Sequence, residues 1–225
     1  MRRHLLAALA LIAAPALAAD AAHPAVIELF QSQGCSSCPP ANENVMALAD
    51  RPDLLVLSFG VTYWDQLGWK DNFAKAEFTR RQYDYKAGLG HDNVWTPQTV
   101  INGRVDVTGV RAAELQQAIA RGDRGSGGPA VTATPARIAV AAGNGAADVW
   151  LVRYDPRIVQ VPIKAGENRG RTLPHRNVVK NLVRLGGWTG AASSFARPAA
   201  AAGLSEAVLV QRPGGGAVLA ALRLR

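Results

Sequence analysis

Cysteine is nearly absent from these 225 residues: there are two, against 22 glycines and 13 prolines. That excludes a small scaffold stapled by several disulfides and a zinc site of four thiolates. Methionine also numbers two, Met1 and Met46, so no methionine cluster offers soft sulfur to copper. Aromatic residues make up only 6 % of the chain, and the formal charge of +8 is scattered over Arg80-Arg81, Arg169 to Arg176 and Arg223 to Arg225. Nucleic-acid binding calls for a concentrated basic face interleaved with stacking rings, and that pattern is missing. Solubility or attraction to anionic surfaces accounts for the charge. Nor is there a long apolar run: residues 5–14 form the N-terminal one, about ten residues where a membrane-spanning helix needs roughly 20.

What that run does resemble is a leader. Met1-Arg2-Arg3-His4 precedes it, and Pro15 with the small residues 16–19 follows. Positive, apolar and small is the order of a secretory signal peptide. Residues 1–19 are therefore expected to be a signal peptide cut after Ala18 or Ala19, with no permanent membrane span. No cysteine follows the cleavage region to take a lipid anchor, and loss of Arg2 and Arg3 lowers the formal charge to +6. The expected compartment is the periplasm, where thiols are either oxidised or held reduced by a dedicated partner.

Residues 25–30 (Ala-Val-Ile-Glu-Leu-Phe) read as a strand, and residues 41–49 place Ala41, Val45 and Leu48 on one helical stripe. Residues 54–61 are nearly continuously apolar, as in a parallel strand buried on both faces. Strand, helix and strand in so little chain make a βαβ unit. Residues 62–91, with Tyr63, Trp64, Trp69, Phe73, Phe78, Tyr83 and Tyr85, suit one or two helices. Asn102-Gly103 between two β-rich runs is a hairpin signal. A helix from about 110 to 121 ends at Gly122, and residues 123–129 have linker composition. Beyond 130, short β-type stretches between Gly, Pro and Asn turns suggest a smaller, mainly antiparallel, sandwich-like β domain. Residues 178–186 fit strand or helix. The expected fold class is α/β, with domains at 20–122 and 130–225.

Both cysteines stand in Gln33-Gly34-Cys35-Ser36-Ser37-Cys38-Pro39-Pro40. A disulfide between positions three apart closes too short a loop to be an effective staple. The pair falls at a strand-to-helix junction, where free N–H groups and the positive helix end stabilise a thiolate. Cys35, the more N-terminal, is expected to be exposed and nucleophilic, with Cys38 resolving the mixed disulfide. Trp64, Asp65 and Trp69 are candidates to line a groove nearby, and His91-Asp92 to sit at the same mouth. Residues 166–177 pack Glu167, Asn168, Arg169, Arg171, His175, Arg176 and Asn177 into twelve positions. That segment is either a solvated hairpin loop or a cover over Cys35, in which Arg171 or His175 lowers the thiol pKa.

The order strand, Cys-x-x-Cys, helix, strand, helical insertion, Thr96-Pro97, hairpin, helix resembles a thioredoxin-like fold between about 25 and 121. The resemblance implies a cis Pro97 lying against the cysteines and a buried acid before them, for which Glu28 is the nearest equivalent. Glu28 is then either a proton acceptor for Cys38 or a satisfied polar group at a strand edge. Ser36-Ser37 replaces the usual centres of well-studied members, and Pro39-Pro40 suggests a late or kinked helix start. A closer resemblance is to an exported bacterial family of unknown function, DUF1223. It is carried by residues 26–40, Tyr63-Trp64-Asp65, Thr96-Pro97-Gln98 with Asn102-Gly103, and residues 166–173 with His175 and Asn177-Val178-Val179.

These observations point to a periplasmic thiol-disulfide oxidoreductase with no cofactor, acting on a protein or small-molecule disulfide with a membrane or periplasmic redox partner. The alternatives are a soft-metal, copper-type site made by Cys35, Cys38, His91 and His175, and an inert structural disulfide.

Overall fold

The computed structural model describes residues 18–224. The expected signal peptide lies almost wholly outside the described residues. Among these, no helix is long and apolar enough to cross a membrane.

The first half runs β1 (Ala25–Gln31), α1 (Cys38–Met46), β2 (Leu54–Gly60), α2 (Ala76–Gly88), β3 (Gln98–Ile101), β4 (Val105–Val107) and α3 (Ala112–Gly122). β1 lies parallel to β2 and antiparallel to β3, with β4 at the edge. Every residue of β1 and β2 is buried, as their apolar runs require. The side chains of β1 alternate between two layers. Ala25, Ile27 and Leu29 pack with Ala41 and Val45 of α1 and Leu115 and Ala118 of α3. Val26 and Phe30 face the other way, toward Phe59 of β2 and Phe78 and Tyr85 of α2. The β3–β4 turn uses Asn102 and Gly103 at φ 49° and 60°. Asn102 is fully buried and is there as much for its side chain as for the turn: it accepts from Val26 N at 2.7 Å and donates to Gly122 O at 2.9 Å.

The second half adds β5 (Val131–Ala133), β6 (Arg137–Val140), β7 (Ala147–Asp155), β8 (Val159–Pro162), β9 (Thr172–His175), β10 (Val178–Trp188), β11 (Ser193–Ala196), β12 (Ser205–Gln211) and β13 (Val218–Leu224). The separate β domain expected at 130–225 is not built as a separate sheet. β10, β7, β12 and β13 extend the first sheet, whose order is β13-β12-β7-β10-β2-β1-β3-β4. The join is a parallel contact of Val178 with Ser58, reinforced by Ser58 N to Asn177 O at 3.0 Å and Asn177 Nδ2 to Val56 O at 2.9 Å. An apolar strand such as β2 leaves a row of backbone groups unpaired if it stays at an edge, and β10 joins it at Ser58. The sandwich-like element is the small sheet β11-β6-β5, which packs Ile138 and Val140 against Val149 and Leu151 of β7 and Val208 and Val210 of β12. Residues 178–188 are strand. The protein is thus a mixed α/β fold with a strand-rich sheet and three α-helices among the described residues.

Candidate redox site

Cys35 and Cys38 form a disulfide across the turn between β1 and α1, with Cα atoms 5.4 Å apart. α1 begins at Cys38 itself, neither late nor displaced, because Pro39 and Pro40 occupy first-turn positions whose N–H groups have no partner within the helix. Ser36 and Ser37 are exposed, and the Ser37 hydroxyl lies 3.3 Å from Cys35 Sγ. The expected exposure of Cys35 is not found: it is 0 % accessible and Cys38 is 1 %.

Two chain segments bond to the turn. In the first, Asp71 accepts from Gln33 N at 2.8 Å and from Phe73 N at 2.7 Å, while Trp69 Nε1 donates to Gln33 Oε1 at 2.9 Å. Asp65 holds this segment by accepting from Asp71 N at 3.1 Å. Burial pushes the Asp71 carboxyl up to about 6, against the downward pull of the Gln33 and Phe73 amides. In the second segment, Asn168 Nδ2 donates to the carbonyls of Gln33 and Cys35 at 2.9 and 2.8 Å. Glu167 accepts from Ser36 N at 2.9 Å, and that amide holds its carboxyl below the usual range. Arg171 donates to Asn168 Oδ1 at 2.9 Å. Gly166 sits at φ 72°, where a Cβ would come 3.1 Å from Trp69 Cβ, so the two segments meet at a point suited to glycine. The polar segment 166–177 thus carries features of both readings: its first part is the hairpin connection between β8 and β9, exposed at Glu167, Arg169, Gly170 and Arg171, and it is seated on the cysteine turn through the buried Asn168.

Beside Cys38 opens a cleft of about 530 Å³ between α1 and β9, bordered by Cys38, Asn42, Met46, Arg171, Leu173 and His175. Asn42 spans it, accepting from Gln31 Nε2 at 2.9 Å and donating to Pro174 O at 2.7 Å. His175 is 3 % exposed, its Nε2 has no partner, and its ring meets Phe73 edge-on at 5.4 Å. Burial pushes its pKa down to about 4, with Lys180 adding to the effect. The expected role for His175 as a cation lowering the thiol pKa therefore fails, since the ring is neutral near pH 7; Arg171 is bonded to Asn168.

The Thr96–Pro97 peptide is cis. Because Phe30 pairs with Gln98, the antiparallel register sets Pro97 level with Gln31, at the end of the sheet from which the cysteine turn leaves. Three other candidates lie elsewhere. Trp64 packs with Tyr63 against the α2 side of the sheet, and it is Trp69 that reaches the cysteine turn. His91 is held by both oxygens of Asp106 at 3.1 Å and by the Trp95 ring at 4.8 Å. Glu28 shares the Val26–Phe30 face, opposite the face that carries α1. Its carboxylate takes Arg81 Nε at 2.7 Å and Nη2 at 3.0 Å, together with the Tyr85 hydroxyl. The proton-acceptor role for Cys38 is corrected accordingly: a strand residue points to one face only, and this one is already paired. The soft-metal set is not assembled either, since no group of three or more His, Cys, Asp or Glu in metal-binding arrangement occurs among the described residues.

Asp71, Gln33, Glu167 and Asn168 were not assigned from sequence. The density of polar residues at 166–177 was the available signal for the last two; Asp71 offered none.

Fold and site together define a mixed α/β protein whose two cysteines form a Cys-x-x-Cys disulfide at a strand-to-helix turn, covered by a polar loop. The chain belongs to the family described as protein of unknown function DUF1223, whose family model matches residues 26–211. A crystal structure of an Agrobacterium tumefaciens protein is 34 % identical, with a TM-score of 0.73, covering 90 % of this chain and 94 % of that one. HBP35 of Porphyromonas gingivalis shares the fold at 11 % identity, with a TM-score of 0.57, over 90 % of this chain and 75 % of its own. No curated protein matches.

Proposed function

We propose that this protein is a periplasmic thiol-disulfide oxidoreductase on a thioredoxin-like scaffold. The observation that carries the reading is the placement of its only two cysteines. They form a disulfide at the start of α1, in a loop too short for the bond to be worth much as a staple. The order β1-α1-β2-α2-β3-β4-α3, with β1 between β2 and β3 and Pro97 immediately before β3, supports the scaffold. The signal-peptide pattern of residues 1–19 supports the compartment.

In the reducing direction the Cys35 thiolate attacks one sulfur of a substrate disulfide, forming the Cys35–substrate bond and expelling the other substrate sulfur as a thiolate. Cys38, once deprotonated, attacks Cys35 sulfur, closes the internal disulfide and releases the second substrate thiolate, which takes up a proton. Two electrons pass from the dithiol to the substrate, and a membrane-bound or periplasmic dithiol protein restores the pair. Run backwards, the same steps donate a disulfide.

The burial of Cys35 favours a second reading, an inert structural bond. Equilibrating the mature protein against glutathione buffers and alkylating free thiols separates them. A midpoint between about −120 and −270 mV is expected; a bond that stays closed across that range overturns the proposal in favour of the structural one.

A further inference from the structure

The first turn of a helix ordinarily offers several free N–H groups to a thiolate. Here most are gone. Pro39 and Pro40 have none, and Cys38 N is turned toward Cys35 O at 3.2 Å. Ser36 N, on the residue next to Cys35, is occupied by the Glu167 carboxylate at 2.9 Å. What seats the loop on the cysteine turn is therefore joined to what occupies the amide adjacent to Cys35. Both belong to residues 166–171, a loop anchored by one glutamate, one asparagine and the backbone bonds Gly170 N to Ile163 O at 2.9 Å and Arg171 N to Asn168 O at 3.1 Å.

We infer that residues 166–171 form a redox-linked gate over Cys35, with Glu167 as the positioning residue that latches it to the Ser36 amide. The inference rests on the pair being reducible, as proposed above. In the disulfide state Cys35 is neutral and Glu167 keeps the Ser36 N–H. On reduction, a thiolate at Cys35 repels the carboxylate and competes for the same donor, so the latch weakens and the gate opens. A substrate disulfide then reaches Cys35, and closing of the internal disulfide removes the charge and restores the latch. Other charged groups around the turn are fixed by other bonds: Asp71 by the Gln33 and Phe73 amides, and Arg171 by Asn168. Glu43, from α1, borders the cleft on the Cys38 side, and His175 there is neutral.

The test uses the mature chain and two substitutions at the exposed Glu167. Glu167→Gln keeps an acceptor for Ser36 N–H without the charge; Glu167→Ala removes both. The rate of reduction by dithiothreitol and the pH profile of Cys35 alkylation by iodoacetamide are read for each, with hydrogen exchange of residues 163–171 in both redox states. For Glu167→Ala the reduction rate is expected to rise about tenfold, as loss of a charge-assisted hydrogen bond allows. For Glu167→Gln the Cys35 pKa is expected to fall by up to about one unit. In the unmodified protein the loop amides exchange faster after reduction. If both variants reduce and titrate like the parent and the loop amides exchange alike in both states, the gate is overturned while the redox reading stands. If the glutathione equilibration finds the bond irreducible, that reading falls first, and with it the gate.

Discussion

Asn168 spends both hydrogens of its side-chain amide on the two carbonyls that frame the cysteine turn, Gln33 O and Cys35 O, across 133 to 135 residues of chain. Truncation by Asn168→Ala leaves the buried Gln33 carbonyl unpaired and Cys35 O with the Cys38 N–H alone. The expected cost is roughly 2 to 3 kcal/mol, from the price of unsatisfied buried groups, seen as a lower urea midpoint. Dithiothreitol should also reduce the bond faster, since the cover is loosened. Unchanged stability would show that water replaces the amide and that the cover is not held there.

Glu28 and Arg81 form a buried pair on the opposite sheet face, with side chains 0 % and 6 % exposed. Removing the cation with Arg81→Met strands a buried carboxylate, at an expected cost of about 3 to 5 kcal/mol. Glu28→Gln should lower stability as well but leave the pH profile of disulfide exchange where it was. A displaced profile would restore Glu28 as a proton acceptor and refute the facing argument.

Two buried groups set opposing pH dependences. His175 has a folded pKa of about 4 against an ordinary 6.5, so between those values the unfolded chain binds more protons and stability falls as the pH drops. Asp71 has a folded pKa of about 6 against 3.8, so in that window the folded state binds more protons and stability falls as the pH rises. The overlapping slopes oppose each other. Asp71→Asn is expected to expose the His175 slope, with urea midpoints dropping from pH 6.5 to 4. His175→Gln should expose the other, with midpoints dropping from pH 4 to 6.

Loss of the disulfide itself should matter little to folding. Cys35→Ser with Cys38→Ser is expected to lower stability by no more than about 2 kcal/mol, given the short loop. Thermal melting of the double variant beside the oxidised parent measures it, and a much larger loss would mark the bond as structural.

How much of this was legible varies residue by residue. The β-rich run at 25–30 and the apolar run at 54–61 announce two buried strands, since such patterns are local. Asn102-Gly103 announces a turn for the same reason, though not that Asn102 would also tie Val26 to Gly122. Pro97 was found by resemblance and lies at the cysteine end of the sheet. His91 and Trp64 were misplaced, and of the two readings of Glu28 the satisfied polar group is the one that holds, because a sequence gives no facing across elements. Asp71 was invisible, because its significance is burial against Gln33, and nothing in Lys70-Asp71-Asn72-Phe73 encodes that.

From the sequence alone come the cysteine pair, the turn that holds it, the helix behind it and the family to which the chain belongs, all of them patterns within some fifteen residues or matched as blocks. The tertiary structure decided that the C-terminal strands continue the first sheet, since β2 needs a neighbour and Asn177 supplies the join. It also decided that Cys35 is covered, because whether a polar loop is solvated or seated depends on which carbonyls lie beneath it, and those come from a distant part of the chain.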